Sequence, residues 1–184
     1  MPAFSSYCEA IKAGAFSEKH AHYHDTEYGF PVTDDNELFG RLLLEINQAG
    51  LSWNTVLNKK ESIRAAYANF DINTVASFTE DDILQLLENP GIIRMRKKIE
   101  AAIYNAQQLQ ILQKEYGSFK NWLDTQHPKN KEEWVKCFKQ RFKFTGNEIT
   151  KEFLMGTGYI KGAHITACPI YNKVLKHQPK WLGV

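Results

Sequence analysis

Two residues near the C-terminal end, His164 and Cys168, stand four positions apart, with Ile165, Thr166 and Ala167 between them. That places two soft metal ligands one helical turn or one tight loop apart, a spacing shared by many zinc half-sites. Near the other end, Cys8 and His24 would complete a closed Cys2His2 tetrahedron tying the two terminal segments together. Two arrangements compete with this one. His20, His22 and His24 alternate, and in an extended segment all three would face one way and hold a metal without any cysteine. Cys137, placed between Trp134 and Phe138, reads as a core residue rather than a ligand. A site closed by four protein ligands leaves no position for an activated water, so the expected role is structural.

Glu45 is the second residue of interest. Leu38, Leu42, Glu45 and Ala49 fall on one line of a 3.6-residue period, flanked by Phe39 and Ile46. A carboxylate on an apolar stripe has to be paired, hydrogen-bonded or turned toward a cavity, because burying a bare charge costs several kcal/mol or more. Arg41 and Arg64 are candidate partners. The alternative is the floor of a pocket, waiting for a donor on a ligand. Gln48-Ala49-Gly50-Leu51-Ser52-Trp53 follows at once and brings an indole close. A pocket for an extruded base needs flat aromatic walls and a few polar groups. Tyr23, Glu45 and Trp53 would supply wall, hydroxyl and acceptor, with Tyr28 nearby, whereas Tyr67 reads as core.

Charge and turn chemistry meet in Asn89-Pro90-Gly91-Ile92-Ile93-Arg94-Met95-Arg96-Lys97-Lys98. Cations in a first helical turn oppose the helix dipole, so the cluster serves something other than helix stability. Backbone N–H groups at such a turn and at the next helix start make a phosphate seat. Arg94, Arg96, Lys97 and Lys98 would add attraction to a nucleic-acid backbone. The competing reading is a solvated face on a surface helix.

The elements that must position these groups are helices. The strongest runs from about Asp35 to Ala49, capped by Asp34 or Asp35. A second covers Lys60 to Tyr67 and breaks at Phe70-Asp71. Thr79-Glu80-Asp81-Asp82 is a capped start for Ile83, Leu84, Leu86 and Leu87, and the Pro-Gly turn follows. The next helix carries Ile99, Ala102, Ile103, Ala106 and Leu109. Another spans Glu132 to Phe142, and Gly146 and Gly158 bracket one with Phe153, Leu154 and Met155. Alternating strand patterns are nearly absent, so the expected class is all-α.

Composition fits a folded protein: 184 residues, 43% hydrophobic, 24% charged and 12% aromatic, with a net charge of +2 that excludes neither nucleic acid nor small molecules. Three cysteines are too few for a disulfide framework and suit a reducing compartment or a metal site. The first eight residues show no secretory pattern, and no apolar run approaches the roughly 20 residues that cross a bilayer. Cytoplasmic localisation is therefore expected.

Several strings resemble the 3-methyladenine DNA glycosylase I family. They are Tyr23-His24-Asp25-Thr26-Glu27-Tyr28-Gly29, Leu44-Glu45-Ile46-Asn47-Gln48-Ala49-Gly50-Leu51-Ser52-Trp53, Gly91-Ile92-Ile93-Arg94, Phe142-Lys143-Phe144-Thr145-Gly146 and the His164/Cys168 pair. The resemblance covers roughly Cys8 to Cys168. It implies an all-α helix-hairpin-helix fold over residues 1–184 as one glycosylase domain. The hairpin element would lie at about 79–106, and both terminal segments would form a zinc-binding lobe. It also implies hydrolytic release of 3-methyladenine without lyase activity. By resemblance, Glu45 and Tyr23 bond the extruded base, Trp53 stacks on it, and Tyr28 belongs to the base pocket. Gly50 and Leu51 fill the gap left in the duplex, and Pro90, Gly91, Ile92, Arg94 and Lys97 belong to the DNA-binding hairpin. Cys8, His24, His164 and Cys168 hold one structural zinc. The expected partner is double-stranded DNA containing alkylated bases, with no membrane, and the chain is expected to act as a monomer. The sequence departs from the family where Tyr28 and Ala10 replace tryptophans. The Cys8–His24 segment is longer than usual, and the stretch between Gly117 and Phe142 is shorter.

Overall fold

The computed structural model describes residues 4–183; residues 1–3, which open the stretch expected to hold no secretory signal, and residue 184 lie outside it. The described residues form α-helices and two 3-10 turns, with no strand among them. The all-α expectation is met. Among the described residues no helix is long and apolar enough to cross a membrane. The chain divides into two compact units: a central unit, Thr33–Phe153, and a terminal unit from the described parts of Met1–Val32 and Leu154–Val184.

In the central unit, α-helices follow at Asp35–Gln48 (α3), Trp53–Ala66 (α4), Ile72–Ala76 (α5), Glu80–Glu88 (α6), Arg96–Tyr116 (α7), Phe119–Gln126 (α8) and Lys131–Arg141 (α9). Capping chemistry sets several of these starts. The Asp34 carboxylate accepts the Glu37 N–H at 2.8 Å and caps α3. Asp35 does a different job: its carboxylate takes the N–H groups of Phe119 and Lys120 at 2.8 and 3.0 Å, capping α8 from a distance in sequence. Thr79 and Asp82 close a capping box at α6. Helix α4 begins seven residues before the expected Lys60, because the Ser52 side chain accepts the Thr55 N–H and caps it there.

Leu38, Leu42 and Phe39 of α3 are buried, as its stripe requires. Phe119, Trp122, Phe138, Phe142 and Phe153 stack into one aromatic core with ring centroids 5.5–6.1 Å apart. Gly40 lets the Phe70 ring lie against α3; a Cβ there would overlap that ring.

The terminal unit holds α1 (Tyr7–Lys12), α2 (Glu18–Thr26) and α11 (Pro169–Lys176), and it takes the last turn of α10 (Asn147–Gly156). Its core joins Cys8, Cys168, Ile170 and Val174 to Phe30, Tyr171 and Trp181. The histidine run is helical, not extended. On α2, His20 and His24 stand four apart and are buried while His22 is exposed, so the three-histidine arrangement does not form.

Candidate functional site

In the terminal unit, Cys8, His24, His164 and Cys168 are all buried, and their ligand atoms lie within 4.8 Å of one another. Cys8 comes from α1 and His24 from α2. His164 sits in a loop, and Cys168 caps α11 after its N–H closes a turn on Ile165. The His–Cys spacing is thus a tight loop and not a helical turn. The two imidazoles approach at 3.2 Å, and four sulfur–nitrogen pairs measure 3.3, 3.6, 3.7 and 3.8 Å. Zinc bonds of about 2.3 Å to sulfur and about 2.0 Å to nitrogen, in a tetrahedron, require edges of about 3.3 Å between nitrogens and about 3.5 Å between sulfur and nitrogen. The donor set fits such an ion. The other ring nitrogens are also engaged: His24 Nδ1 lies 2.7 Å from Asp25, and His164 Nε2 lies 2.7 Å from the Tyr28 carbonyl. Metal-binding histidines are oriented in this way. Burial pushes the Cys8 thiol up and holds His164 below the usual histidine range, so this pocket favours neutral groups unless a cation enters.

Tyr28 sits in the shell of this cluster. Its ring centroid is 5.8 Å from His164, 5.6 Å from Tyr23 and 5.9 Å from Tyr7. Tyr23 is buried on α2 next to His24, and its hydroxyl and the Tyr28 ring both lie against Gly156, where a Cβ would stand 3.7 and 3.6 Å away. Ala10 is buried on α1.

In the central unit, Glu45 is 6% exposed in the last turn of α3. Its expected arginine partners are committed elsewhere. Arg41 and Arg64 both ion-pair with Glu37, at 3.0 and 2.6 Å. Arg41's charge still pulls Glu45 downward, but burial, with Glu152 adding to it, pushes the carboxyl up to about 8. A buried carboxyl that holds its proton at neutral pH is the kind of group that functional pockets keep. Trp53 is half-buried at the first position of α4, and between them Gly50 (φ +78°) turns the chain so that Leu51 is 42% exposed.

The turn between α6 and α7 is built by Asn89, whose side chain accepts the Gly91 N–H at 2.8 Å. A Cβ on Gly91 would press on Ser62 of α4 at 3.0 Å. Pro90 is exposed, Ile92 is buried, and Arg94 and Lys97 are exposed. The N–H groups of Ile92 and Met95 are used within the turn, whereas those of Ile93 and Arg94 make no hydrogen bond among the described residues.

The basic cluster does not act as one surface. Arg96 is gripped by Glu80 through two bonds of 2.7 and 3.0 Å. Lys98 is buried and donates to the carbonyls of Asn47 and Ala49 at 2.8 and 2.7 Å. Lys59 of α4 likewise donates to a carbonyl, that of Pro90, at 2.6 Å. Long flexible side chains go where acceptors are, and no run of charges in sequence says where that is. Asp25 was also missed, although an acid directly beside a candidate ligand histidine was a usable signal. Cys137 lies outside the cluster, half-buried, with its thiol 3.5 Å from Gln126 Oε1.

Residues 13–141 match the family model described as methyladenine glycosylase. The chain is 35% identical over 168 residues to DNA-3-methyladenine glycosylase 1 of Escherichia coli (strain K12), covering 81% of this chain and 89% of that one. It is 34% identical over 166 residues to DNA-3-methyladenine glycosylase of Haemophilus influenzae (strain ATCC 51907 / DSM 11121 / KW20 / Rd), covering 80% and 89%. A solved structure addressing 3-methyladenine recognition by 3-methyladenine DNA glycosylase I from Staphylococcus aureus superposes with a TM-score of 0.79 at 32% identity, covering 90% of this chain and 97% of that one. The chain belongs to the methyladenine glycosylase family.

Proposed function

We infer that this protein is a DNA repair glycosylase that extrudes 3-methyladenine from alkylated double-stranded DNA and hydrolyses its N-glycosidic bond. The observation that carries the reading is Glu45, a buried carboxyl with a raised pKa on the stripe that leads into the Gly50–Leu51 turn. Methylation at N3 gives adenine a formal positive charge. A cation beside Glu45 pulls the carboxyl pKa down, so the group ionises for the damaged base and stays neutral for ordinary adenine. Selection and leaving-group recognition then rest on one side chain.

Little other chemistry is needed. The bond from C1′ to the base breaks with its electrons going to the base, which neutralises the base's charge; a water oxygen bonds to C1′ and gives up a proton to solvent. Tyr23 is assigned a hydrogen bond to the base, Trp53 a stacking wall and Tyr28 a place in the pocket. Gly50 and Leu51 fill the gap left in the duplex. Pro90, Gly91, Ile92, Arg94 and Lys97 form the helix-hairpin-helix contact to the DNA backbone, supported by the uncommitted N–H groups of Ile93 and Arg94. No lyase step is assigned: Lys98 and Lys59 both donate to backbone carbonyls.

One zinc per chain would be held by Cys8, His24, His164 and Cys168, where it would cross-link the two terminal segments and do no chemistry on the substrate. The protein is read as a cytoplasmic monomer with one glycosylase domain, a hairpin element at about 79–106 and a zinc lobe from both termini. The deciding experiment is incubation with methylated duplex DNA and identification of the released bases. Release of 3-methyladenine without strand cleavage is expected; no released base would leave a non-catalytic DNA-binding protein of the same fold.

A further inference from the structure

Lys98 sits in the first turn of α7, where a cation opposes that helix's own dipole. It is nonetheless 3% exposed. Its ammonium spans the carbonyls of Asn47 and Ala49, acceptors at the end of α3 that lack an intrahelical partner. A second lysine runs the opposite way. Lys59 of α4 reaches the carbonyl of Pro90 in the hairpin turn. Residues 49–52 join α3 to α4, so the two lysines close a circuit. It passes from the turn along α4 to the hairpin, then through α7 and back to the start of the turn.

The tip inside that circuit has little packing of its own. Apart from Gly50 and its chain neighbours, no described atom lies within 4 Å of the place where a Gly50 Cβ would stand, and Leu51 is exposed. What holds the tip is at its ends: the Leu51 N–H on the Gln48 carbonyl at 2.7 Å, the Ser52 cap on α4, and the Lys98 bonds.

We propose that Lys98 is a positioning residue for base extrusion, holding the Gly50–Leu51 tip in register with the hairpin that seats the DNA backbone, with Lys59 closing the same tie from the other side. The proposal rests on the reading of turn and hairpin as the DNA-contacting elements. Lys98 touches neither base nor phosphate in this role. It makes the energy of hairpin binding available to the tip, as rigid supports of a reacting geometry do.

The test is Lys98→Met, which keeps the aliphatic stem and removes the ammonium. Single-turnover release of 3-methyladenine from alkylated duplex should fall about tenfold or more, whereas release from alkylated single strands, which need no extrusion, changes by less than about twofold. Quenching of tryptophan fluorescence by free 3-methyladenine should also be retained. The salt dependence of duplex binding should keep its slope, because no phosphate contact is removed. Parallel loss on duplex, single strand and free base overturns the proposal by making Lys98 part of the pocket or the core. A salt slope lower by about one overturns it by making Lys98 a phosphate ligand. Should Lys98→Met not fold, Lys59→Met at its half-buried position is read by the same duplex-to-single-strand ratio, and an unchanged ratio overturns the proposal. Unmodified protein that releases no 3-methyladenine from either form would instead overturn the glycosylase reading beneath it.

Discussion

His24 and His164 face each other with Nε2 and Nδ1 3.2 Å apart, and each has its other ring nitrogen engaged, by Asp25 and by the Tyr28 carbonyl. With those outer nitrogens carrying the protons, the two facing nitrogens both present lone pairs, an arrangement that a cation between them stabilises. Metal analysis should give about one zinc per chain. Asp25→Asn should weaken metal affinity about 10- to 100-fold in a chelator competition. Zinc-to-chain ratios near zero in the purified protein would sink this reading.

Glu45→Gln removes the ionisable group and keeps its shape. Release of 3-methyladenine should drop by a factor on the order of 100, the size seen when one preorganised electrostatic group is lost. Binding to abasic-site duplex should be nearly unchanged. Equal activity in the variant would remove the role given to this carboxyl.

The same substitution has a stability signature of definite sign. The Glu45 carboxyl is raised from 4.5 to about 8, chiefly by burial. Below pH 4.5 both folded and unfolded forms are protonated and no penalty exists. As pH rises toward 8 the unfolded chain ionises while the folded one holds its proton, so stability falls, and above about 8 the penalty is complete. Its full size is on the order of a few kcal/mol. Denaturant melts at pH 5 and pH 8.5 should show Glu45→Gln gaining on the unmodified protein at the higher pH.

Charges on the hairpin are expected to divide by their partners. Arg94→Ala and Lys97→Ala should each lower the salt slope of duplex binding by about one, and weaken binding to all sequences alike. Arg96→Ala should change the slope least, because Glu80 already neutralises its guanidinium. Titrations at several salt concentrations distinguish the three.

Two glycines should fail for different reasons. Gly50→Ala meets open space but a φ of +78°, and should cost about 1 kcal/mol of backbone strain. Gly40→Ala drives a methyl into the Phe70 ring and should cost about 1–3 kcal/mol or more through overpacking. Thermal melts of both variants give the order directly.

Much of the architecture could be read along the chain because its causes are local. Asp34 caps α3 and Thr79–Asp82 caps α6 through side chains that reach three residues. Glu45 stood out because a carboxylate on an apolar stripe contradicts its surroundings, and the structure retains that contradiction. The start of α4 was misplaced because Gln48 to Trp53 reads as one helix end, while Ser52 serves the next helix. The three-histidine alternative survived in the sequence only because alternation looks the same until the segment's conformation is known; α2 puts His22 outside.

By itself, then, the sequence determined the helical class and the placing of one carboxyl among apolar residues, and it offered Cys8, His24, His164 and Cys168 as one ligand set beside a three-histidine alternative. These follow from periodicity and residue type, which act over a few positions. Tertiary structure alone decided that Cys8 and His24 meet His164 and Cys168 at ligand distances. It also decided that Arg41 and Arg64 serve Glu37, and that Lys98 and Lys59 are used on backbone carbonyls of other elements. The reason is physical: a long charged side chain finds its partner by proximity in space, and loop closure over many residues puts few constraints on sequence while fixing that proximity completely.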